Sequence, residues 1–303
     1  MRCVQTTVVI LILACDSVFG RVIGTTRRKD RNNTKKQAEN MESGEEGEYM
    51  EKYSNKVSIE AEQGQFEGDI IRPPKQTENK KFRNVLHKYF WNSFTWDNGV
   101  IPYILDKKYS SLERKHILDA MTLIERRSKN CVRFKEYSSE MEIFFGGHWF
   151  GYLYVNRLFD TCLTQYVGFY RIGRQELYLG ARCFRKKYGI PAHELMHVLG
   201  FWHEHNRRDR DYYVRINRNN IKRSKQAQYD KEYESVIQNL TPYDYYSIMH
   251  YGVETNAIYR GLQTITVLDK NIDINRIGQR SYLTDSDAFE IRCMYGCATC
   301  TAL

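Results

Sequence analysis

The feature that most narrows what this chain can become is the stretch His193-Glu-Leu-Met-His197-Val-Leu-Gly200-Phe-Trp-His203-Glu204. On a helix, His193 and His197 lie four residues apart, so they project from one face and can share a metal ion. Glu194 leans to the side of that pair, where it can reach a metal-bound water without ligating the metal. Gly200 is the predicted helix stop, because it takes the left-handed conformation that a residue with a Cβ resists. The chain can then turn back and present His203 as a third ligand. Three imidazoles leave a coordination position open for water, an arrangement that suits catalytic rather than structural zinc. Zinc held this way acidifies its water and polarises a peptide carbonyl. The competing reading is an amphipathic helix with incidental histidines; only eight histidines occur in 303 residues, so five fixed positions in this order form a specific signal.

Composition sets the outer limits. Charged residues make up 27% and hydrophobic residues 42%, an ordinary globular mixture. The net charge of +9 could suggest a nucleic-acid partner. Much of the excess sits in a basic N-terminal run, however, and no nucleic-acid motif accompanies it, so none is expected. Residues 1–20 read as a signal peptide: Arg2 is followed by the apolar Val8-Val-Ile-Leu-Ile-Leu-Ala14, with Val18 and Gly20 small enough for cleavage before Arg21. An uncleaved anchor is the alternative, but the apolar run is short and no later one approaches about 18 residues. A secreted, extracellular protein without a membrane anchor is therefore expected. Secretion places the cysteines in an oxidising compartment. Cys3 and Cys15 leave with the signal, and Cys131, Cys162, Cys183, Cys293, Cys297 and Cys300 remain as an even set. Their number does not choose a pairing, and no Cys-x-x-Cys pair lies near a histidine-rich partner that would suggest a second zinc.

Residues 21–83 read as a pro-segment. Arg27-Arg28-Lys29-Asp30-Arg31 is basic, Glu42, Glu45, Glu46, Glu48 and Glu51 follow, and large apolar residues are few. Asn32-Asn33-Thr34 is a glycosylation sequon, and Asn239-Leu240-Thr241 is a second one further on. Phe66-Glu67-Gly68-Asp69-Ile70 is an island of aromatic, glycine and carboxylate. Pro73-Pro74 and the basic Lys80-Lys81-Phe82-Arg83 come next. That order predicts an inhibitory plug, an exposed linker and a protease-sensitive joint.

From residue 84 to 303 the composition is that of a folded domain. Val100–Leu105 is predicted as a strand entered through the Asn98-Gly99 turn. Ser110 and Glu113 form a capping box, and Ile117, Ala120, Met121 and Ile124 form a helical core stripe. Val132–Phe134, Glu142–Phe145 and Glu176–Leu179 are strand candidates. Pro191 suits the first turn of the metal helix, Arg207–Asp211 reads as loop, and a polar helix is expected around Ile221–Val236. Thr284 caps a last helix with Ala288, Ile291 and Tyr295 on one face.

The metal stretch continues as Phe201-Trp202-His203-Glu204-His205, and later comes Ser247-Ile-Met249-His250-Tyr251. Together these resemble the astacin family of metzincin peptidases. The likeness extends to Gly99-Val-Ile-Pro-Tyr103, Asp209-Arg-Asp-Tyr-Tyr-Val214, Thr241-Pro-Tyr-Asp-Tyr245 and Ile277-Gly-Gln-Arg280. It covers roughly residues 84–297, and Phe66–Asp69 resembles the family's pro-segment motif. The resemblance implies an α+β, two-lobed metzincin fold with a twisted mixed sheet, a zinc-binding helix and a Met-turn. It implies a secreted zinc endopeptidase made as a zymogen, with His193, His197 and His203 as ligands of one zinc per subunit and Glu194 as general base. Met249 would floor the site. Tyr251 would be a fifth, releasable ligand that swings away to stabilise the oxyanion, and Asp69 would occupy the metal in the zymogen. Implied disulfides are Cys162–Cys183 and Cys131–Cys297, with Cys293 and Cys300 left to pair. Glu204 would take the ammonium of a new N-terminus, Asn84, after a trypsin-like cut behind Arg83; Lys81 and Lys88 are other cut points. Pairing of Glu204 with Arg207 or Arg210 is the alternative. His205 and His250 read as packing residues or as supports behind the zinc ligands, and His87, His116 and His148 lack ligand spacing. Two departures bear on substrate preference: Glu142–Asp160 fits the family poorly and is longer than usual, and Val267 stands where proline is common. The partners expected are protein substrates and an activating protease, with the subunit a monomer. A zinc-stabilised but inert binding protein is the rival reading, and no catalytic group is missing to favour it.

Overall fold

The computed structural model describes residues 65–66, 68–71, 94–171, 173–231 and 240–300. The signal peptide, both sequon asparagines, His87 and the joint at residues 80–84 lie outside them. Two short strands, β1 (Gln65–Phe66) and β2 (Ile70–Ile71), pair antiparallel. After them come β3 (Val100–Leu105), α1 (Ser111–Arg127), β4 (Arg133–Glu136), α2 (Glu140–Phe145), β5 (Gly151–Asn156), β6 (Cys162–Thr164) and β7 (Gly173–Leu179). The metal helix is α3 (Gly189–Leu199), β8 (Val214–Ile216) pairs antiparallel with β9 (Ile265–Val267), and α4 (Asp285–Met294) is the last helix. The large sheet has the order β1-β2-β6-β7-β5-β3-β4. Its centre is parallel, with β5 between β3 and β7, while β6 runs antiparallel to β7. This is the mixed sheet of the expected α+β fold.

Local sequence explains most of these elements. β3 is buried along most of its length, as a parallel strand covered on both faces must be. The Ser110 hydroxyl accepts from the Glu113 amide and the Glu113 carboxylate accepts from the Ser110 amide, so the capping box opens α1. Ile117, Ala120, Met121 and Ile124 then face the core. There they meet Ile101, Leu153 and Leu177 of the sheet and Leu195, Met196, Val198 and Leu199 of α3. Trp96 lies in the same core, stacked on Phe169 with ring centroids 4.2 Å apart, and its indole N–H donates to the Val198 carbonyl. Ile291 of α4 and Met249 join this large core as well. A second, smaller cluster gathers Val214, Ile221, Tyr229, Tyr243, Tyr251 and Ile265 around the β8–β9 pair. The three disulfides are Cys131–Cys297, Cys162–Cys183 and Cys293–Cys300.

Four expectations are corrected. Glu142–Phe145 is helix, not strand, because Ser139 caps the Glu142 amide while the Glu142 carboxylate accepts from the Ser138 amide and hydroxyl. Those bonds favour a helical turn over an extended chain, and only Ile143 of α2 is buried. The strand of that region is β5, further along, and it is central to the sheet. The strand expected at Val132–Phe134 begins at Arg133 and runs to Glu136. Around Ile221–Val236 the described residues carry a 3₁₀ segment, Arg223–Tyr229, instead of an α-helix. Here tertiary contacts override pattern: the Gln228 carbonyl accepts from Asn206 and His205, and the buried Tyr229 hydroxyl donates to the Thr255 carbonyl. Arg207–Asp211, expected as loop, holds a short 3₁₀ helix, Arg208–Tyr212.

α3 begins where no side chain can fit. A Cβ built on Gly189 would lie 1.6 Å from the Arg280 carbonyl oxygen, a backbone atom with little freedom to retreat. Gly189→Ala should therefore lower stability by about 1–3 kcal/mol, the usual range for overpacking. A urea-denaturation midpoint unchanged from wild type would show that the 280 segment yields freely.

Candidate metal centre and active site

α3 ends as predicted. Gly200 has φ 111° and ψ 15°, a left-handed cap, and its amide donates to the His197 carbonyl. The turn brings His203 back beside the helix, so that all three histidines are buried with ring centroids 4.7–5.2 Å apart. Two of the rings are oriented by their second nitrogen. His193 Nδ1 lies 2.9 Å from the Ile248 carbonyl oxygen and His197 Nδ1 2.7 Å from that of Phe201. A carbonyl can only accept, so each Nδ1 carries the proton and each Nε2 offers a lone pair.

Those lone pairs converge on Asp69. Its carboxylate lies 3.0 Å from His193 Nε2, 3.2 Å from His203 Nε2 and 3.5 Å from His197 Nε2. His193 and His203 Nε2 are themselves 3.3 Å apart. At His193 and His197 acceptor faces acceptor, and His197 Nε2 and Asp69 Oδ1 are buried without a hydrogen-bond partner. A cation between them resolves the conflict. A tetrahedral zinc separates its nitrogen ligands by about 3.4 Å, given bonds near 2.1 Å. The four ligand atoms all fall within 4.8 Å of one another, so the residues fit one zinc. Burial, with the Arg280 charge, holds the His193 imidazole well below its ordinary pKa, which keeps it a neutral ligand.

Glu194 lies beside this cluster and is fully buried. Burial and then the Asp69 charge push its carboxyl well above the ordinary range, while the Thr164 hydroxyl, donating over 3.0 Å, works against them. The segment Ser247–Tyr251 runs beneath. Asp287 of α4 fastens it: the carboxylate accepts from the Ser247 hydroxyl, the Ile248 amide and the Thr284 amide. Ile248 is the residue whose carbonyl orients His193, so α4 reaches the metal cluster through two bonds. Met249 is buried in the large core, as a methionine floor requires. Tyr251 is buried, its ring centroid 4.6 Å from that of His203 and 4.0 Å from that of His205. His205 and His250 are packing residues here. His250 bonds the Tyr243 hydroxyl and the Tyr251 carbonyl, and burial lowers its pKa to about 4. His116 and His148 stand apart, against Phe184 and Tyr137.

The Asp69 hairpin arrives at the cluster along the sheet edge. β2 pairs parallel with β6, Ile70 opposite Thr164, and the Thr164 amide donates to the Asp69 carbonyl over 2.8 Å. Gly68 is required at the turn. Its φ is +96°, and a Cβ there would come within 2.6 Å of the Tyr251 hydroxyl. Glu204 accepts from Arg207 over 3.0 Å and from the Asp244 amide over 2.8 Å, so the arginine alternative is the arrangement present. Asn84 lies outside the described residues. Sequence does not pick out Thr164 or Asp287 as site residues, and Arg280 enters only as the end of the Ile277–Arg280 likeness. Asp287 leaves one trace, as the third residue after the Thr284 cap.

Mixed sheet, buried metal helix and methionine turn together define a metzincin-type zinc domain. The profile of the astacin peptidase family matches residues 90–296. Zinc metalloproteinase nas-13 of Caenorhabditis elegans is 39% identical over 223 residues, which are 73% of this chain and 44% of that protein. The astacin-like metalloendopeptidase of Mus musculus is 35% identical over 258 residues, 80% of this chain and 51% of that one. Among solved structures, high choriolytic enzyme 1, a hatching enzyme zinc-protease from the medaka fish Oryzias latipes, superposes with a TM-score of 0.58 at 33% identity. The match covers 71% of this chain and 100% of that one. The chain belongs to the astacin family. It spans about half the length of these two curated relatives.

Metal analysis of the purified full-length protein should return one zinc per chain. Removing it with 1,10-phenanthroline should lower the thermal midpoint, since a metal bound only by the folded state stabilises that state. A metal-free protein with an unchanged midpoint would contradict the fit described above.

Proposed function

We propose that the protein is a secreted zinc endopeptidase, made as a zymogen and hydrolysing internal peptide bonds of protein substrates. The observation that carries this reading is the convergence of His193, His197 and His203 on one point, with the buried Glu194 carboxyl alongside. The zinc those histidines would hold supplies the Lewis acidity that polarises a carbonyl and acidifies water. Glu194 accepts a proton from the attacking water and passes it to the leaving amine nitrogen. The Tyr251 hydroxyl, beside His203, donates to the oxyanion as charge develops there. Substrate lies extended across the cleft that the Asp69 hairpin fills in the precursor.

In that precursor Asp69 competes directly with water for the metal, and Gly68 seats it by letting the chain pass close to Tyr251. Activation removes residues 21–83 through a trypsin-like cut behind Arg83, after the signal peptide has gone. Family resemblance and the Glu204–Arg207 pair make different demands on Glu204: the first hands it the Asn84 ammonium, the second leaves it bound to the guanidinium. The secreted reading is supported by the sequence of residues 1–20 and by the disulfides. Among the described residues no helix is long and apolar enough to cross a membrane. A monomer is proposed.

Two experiments test these roles. In trypsin-activated protein, Glu194→Ala should keep its zinc and lose about 10²- to 10⁴-fold in kcat. Tyr251→Phe should lose about 10²-fold, chiefly in kcat rather than KM. Wild-type turnover in either variant removes that residue from the mechanism. Separately, the uncut Asp69→Ala precursor should hydrolyse a quenched fluorescent peptide that the uncut wild type leaves intact. A silent Asp69→Ala precursor would mean that coverage by the pro-segment is enough without the carboxylate.

A further inference from the structure

A general base works only if its carboxylate is held where the proton is exchanged, and the last torsion of a glutamate is soft. Glu194 cannot be held by its own helix, because its side chain leaves α3 sideways. Among the described residues one hydrogen-bond donor meets its carboxylate: the Thr164 hydroxyl, 3.0 Å from Oε2. The Glu194 backbone oxygen, 3.2 Å from the same hydroxyl, is a second acceptor for its one proton, and the carboxylate is the nearer of the two. Thr164 is well placed to hold the carboxylate. It is completely buried, and its strand is paired to β7 through Leu177, a pairing that stays when β2 leaves with the pro-segment. Its β-branched side chain has little freedom about χ1. Asp69, whose charge also acts on Glu194, leaves with the pro-segment, whereas Thr164 stays.

We propose that Thr164 is the positioning residue of the active site: its hydroxyl, carried on strand β6 beside β7, holds the Glu194 carboxylate in the orientation from which it exchanges protons with water and with the leaving amine. This rests on the reading of Glu194 as general base. Thr164 divides its work. The hydroxyl serves Glu194, while the backbone amide serves the Asp69 carbonyl. Removing the hydroxyl alone should therefore disturb catalysis and spare the plug.

Thr164→Val removes only that group, keeping the branch at Cβ and the amide. The full-length chain is expressed, activated by limited trypsin digestion and assayed beside wild type, Glu194→Ala and Thr164→Ser. The Val variant should lose about 10- to 100-fold in kcat, with KM within about twofold of wild type. Its zinc content should be unchanged and its thermal midpoint lower by no more than about 4 °C. Its uncut precursor should remain silent. Thr164→Ser, which restores the hydroxyl, should recover most of the turnover. Full turnover in Thr164→Val overturns the inference alone, provided that Glu194→Ala is dead. So does a loss that serine does not rescue, or one that comes with lost zinc or a collapsed midpoint, since either marks a structural role. A wild type without turnover overturns the peptidase reading and this inference with it.

Discussion

The bond from His193 Nδ1 to the Ile248 carbonyl is small, but the arrangement of the whole site depends on it. It fixes a tautomer, and the tautomer decides which nitrogen faces the centre. It also joins elements that are far apart in sequence. His193 belongs to the helix that packs against the sheet, Ile248 to the turn that Asp287 fastens from the last helix. A change in how α4 seats would reach the metal cluster through two hydrogen bonds, without any residue of α4 touching it. The last helix also shares the large core with α1 and α3, through Ile291.

Much of this is legible in the sequence, and the reasons differ by element. The metal stretch is legible because ligand geometry and helix geometry impose the same spacing. The capping boxes at Ser110 and Thr284 are legible because a cap is a local bond between residues three apart. The connection from β4 to β5 misleads because Glu142–Phe145 is apolar enough for a strand, while what decides it is a serine two places before the helix. β5 itself, Gly-Tyr-Leu-Tyr-Val-Asn, carries a strand's residues and is obscured by that earlier assignment. Thr164 is not legible. A threonine in a short strand carries no mark that its hydroxyl will meet a glutamate thirty residues later. Family resemblance anticipates Cys162–Cys183 and Cys131–Cys297, which the cysteine count leaves open, and reaches Cys293–Cys300 only as the pair outside the family pattern.

On the proposed reading, inhibition and catalysis share parts in this molecule. β6 receives the Asp69 hairpin through the Thr164 amide, and the Thr164 hydroxyl bonds Glu194. Tyr251 leaves room for Gly68 and for no larger residue. The plug is thus seated on Tyr251 and Thr164, both proposed to serve the reaction. A substitution that improves the seat of the hairpin at Tyr251 or Thr164 alters the surface that a substrate meets.

The bridge between Cys131 and Cys297 has a consequence for synthesis. The two residues are separated by 166 positions, whereas Cys162 and Cys183 are separated by 21. A chain entering an oxidising compartment from its N-terminus exposes Cys131 first and its partner nearly last. In the interval Cys162 and Cys183 are within reach of it, and thiolate attack does not discriminate native from non-native sulfur. Closure of the short loop between Cys162 and Cys183 would take both out of that competition, so on the secreted reading the order in which the bridges form bears on which pairs result.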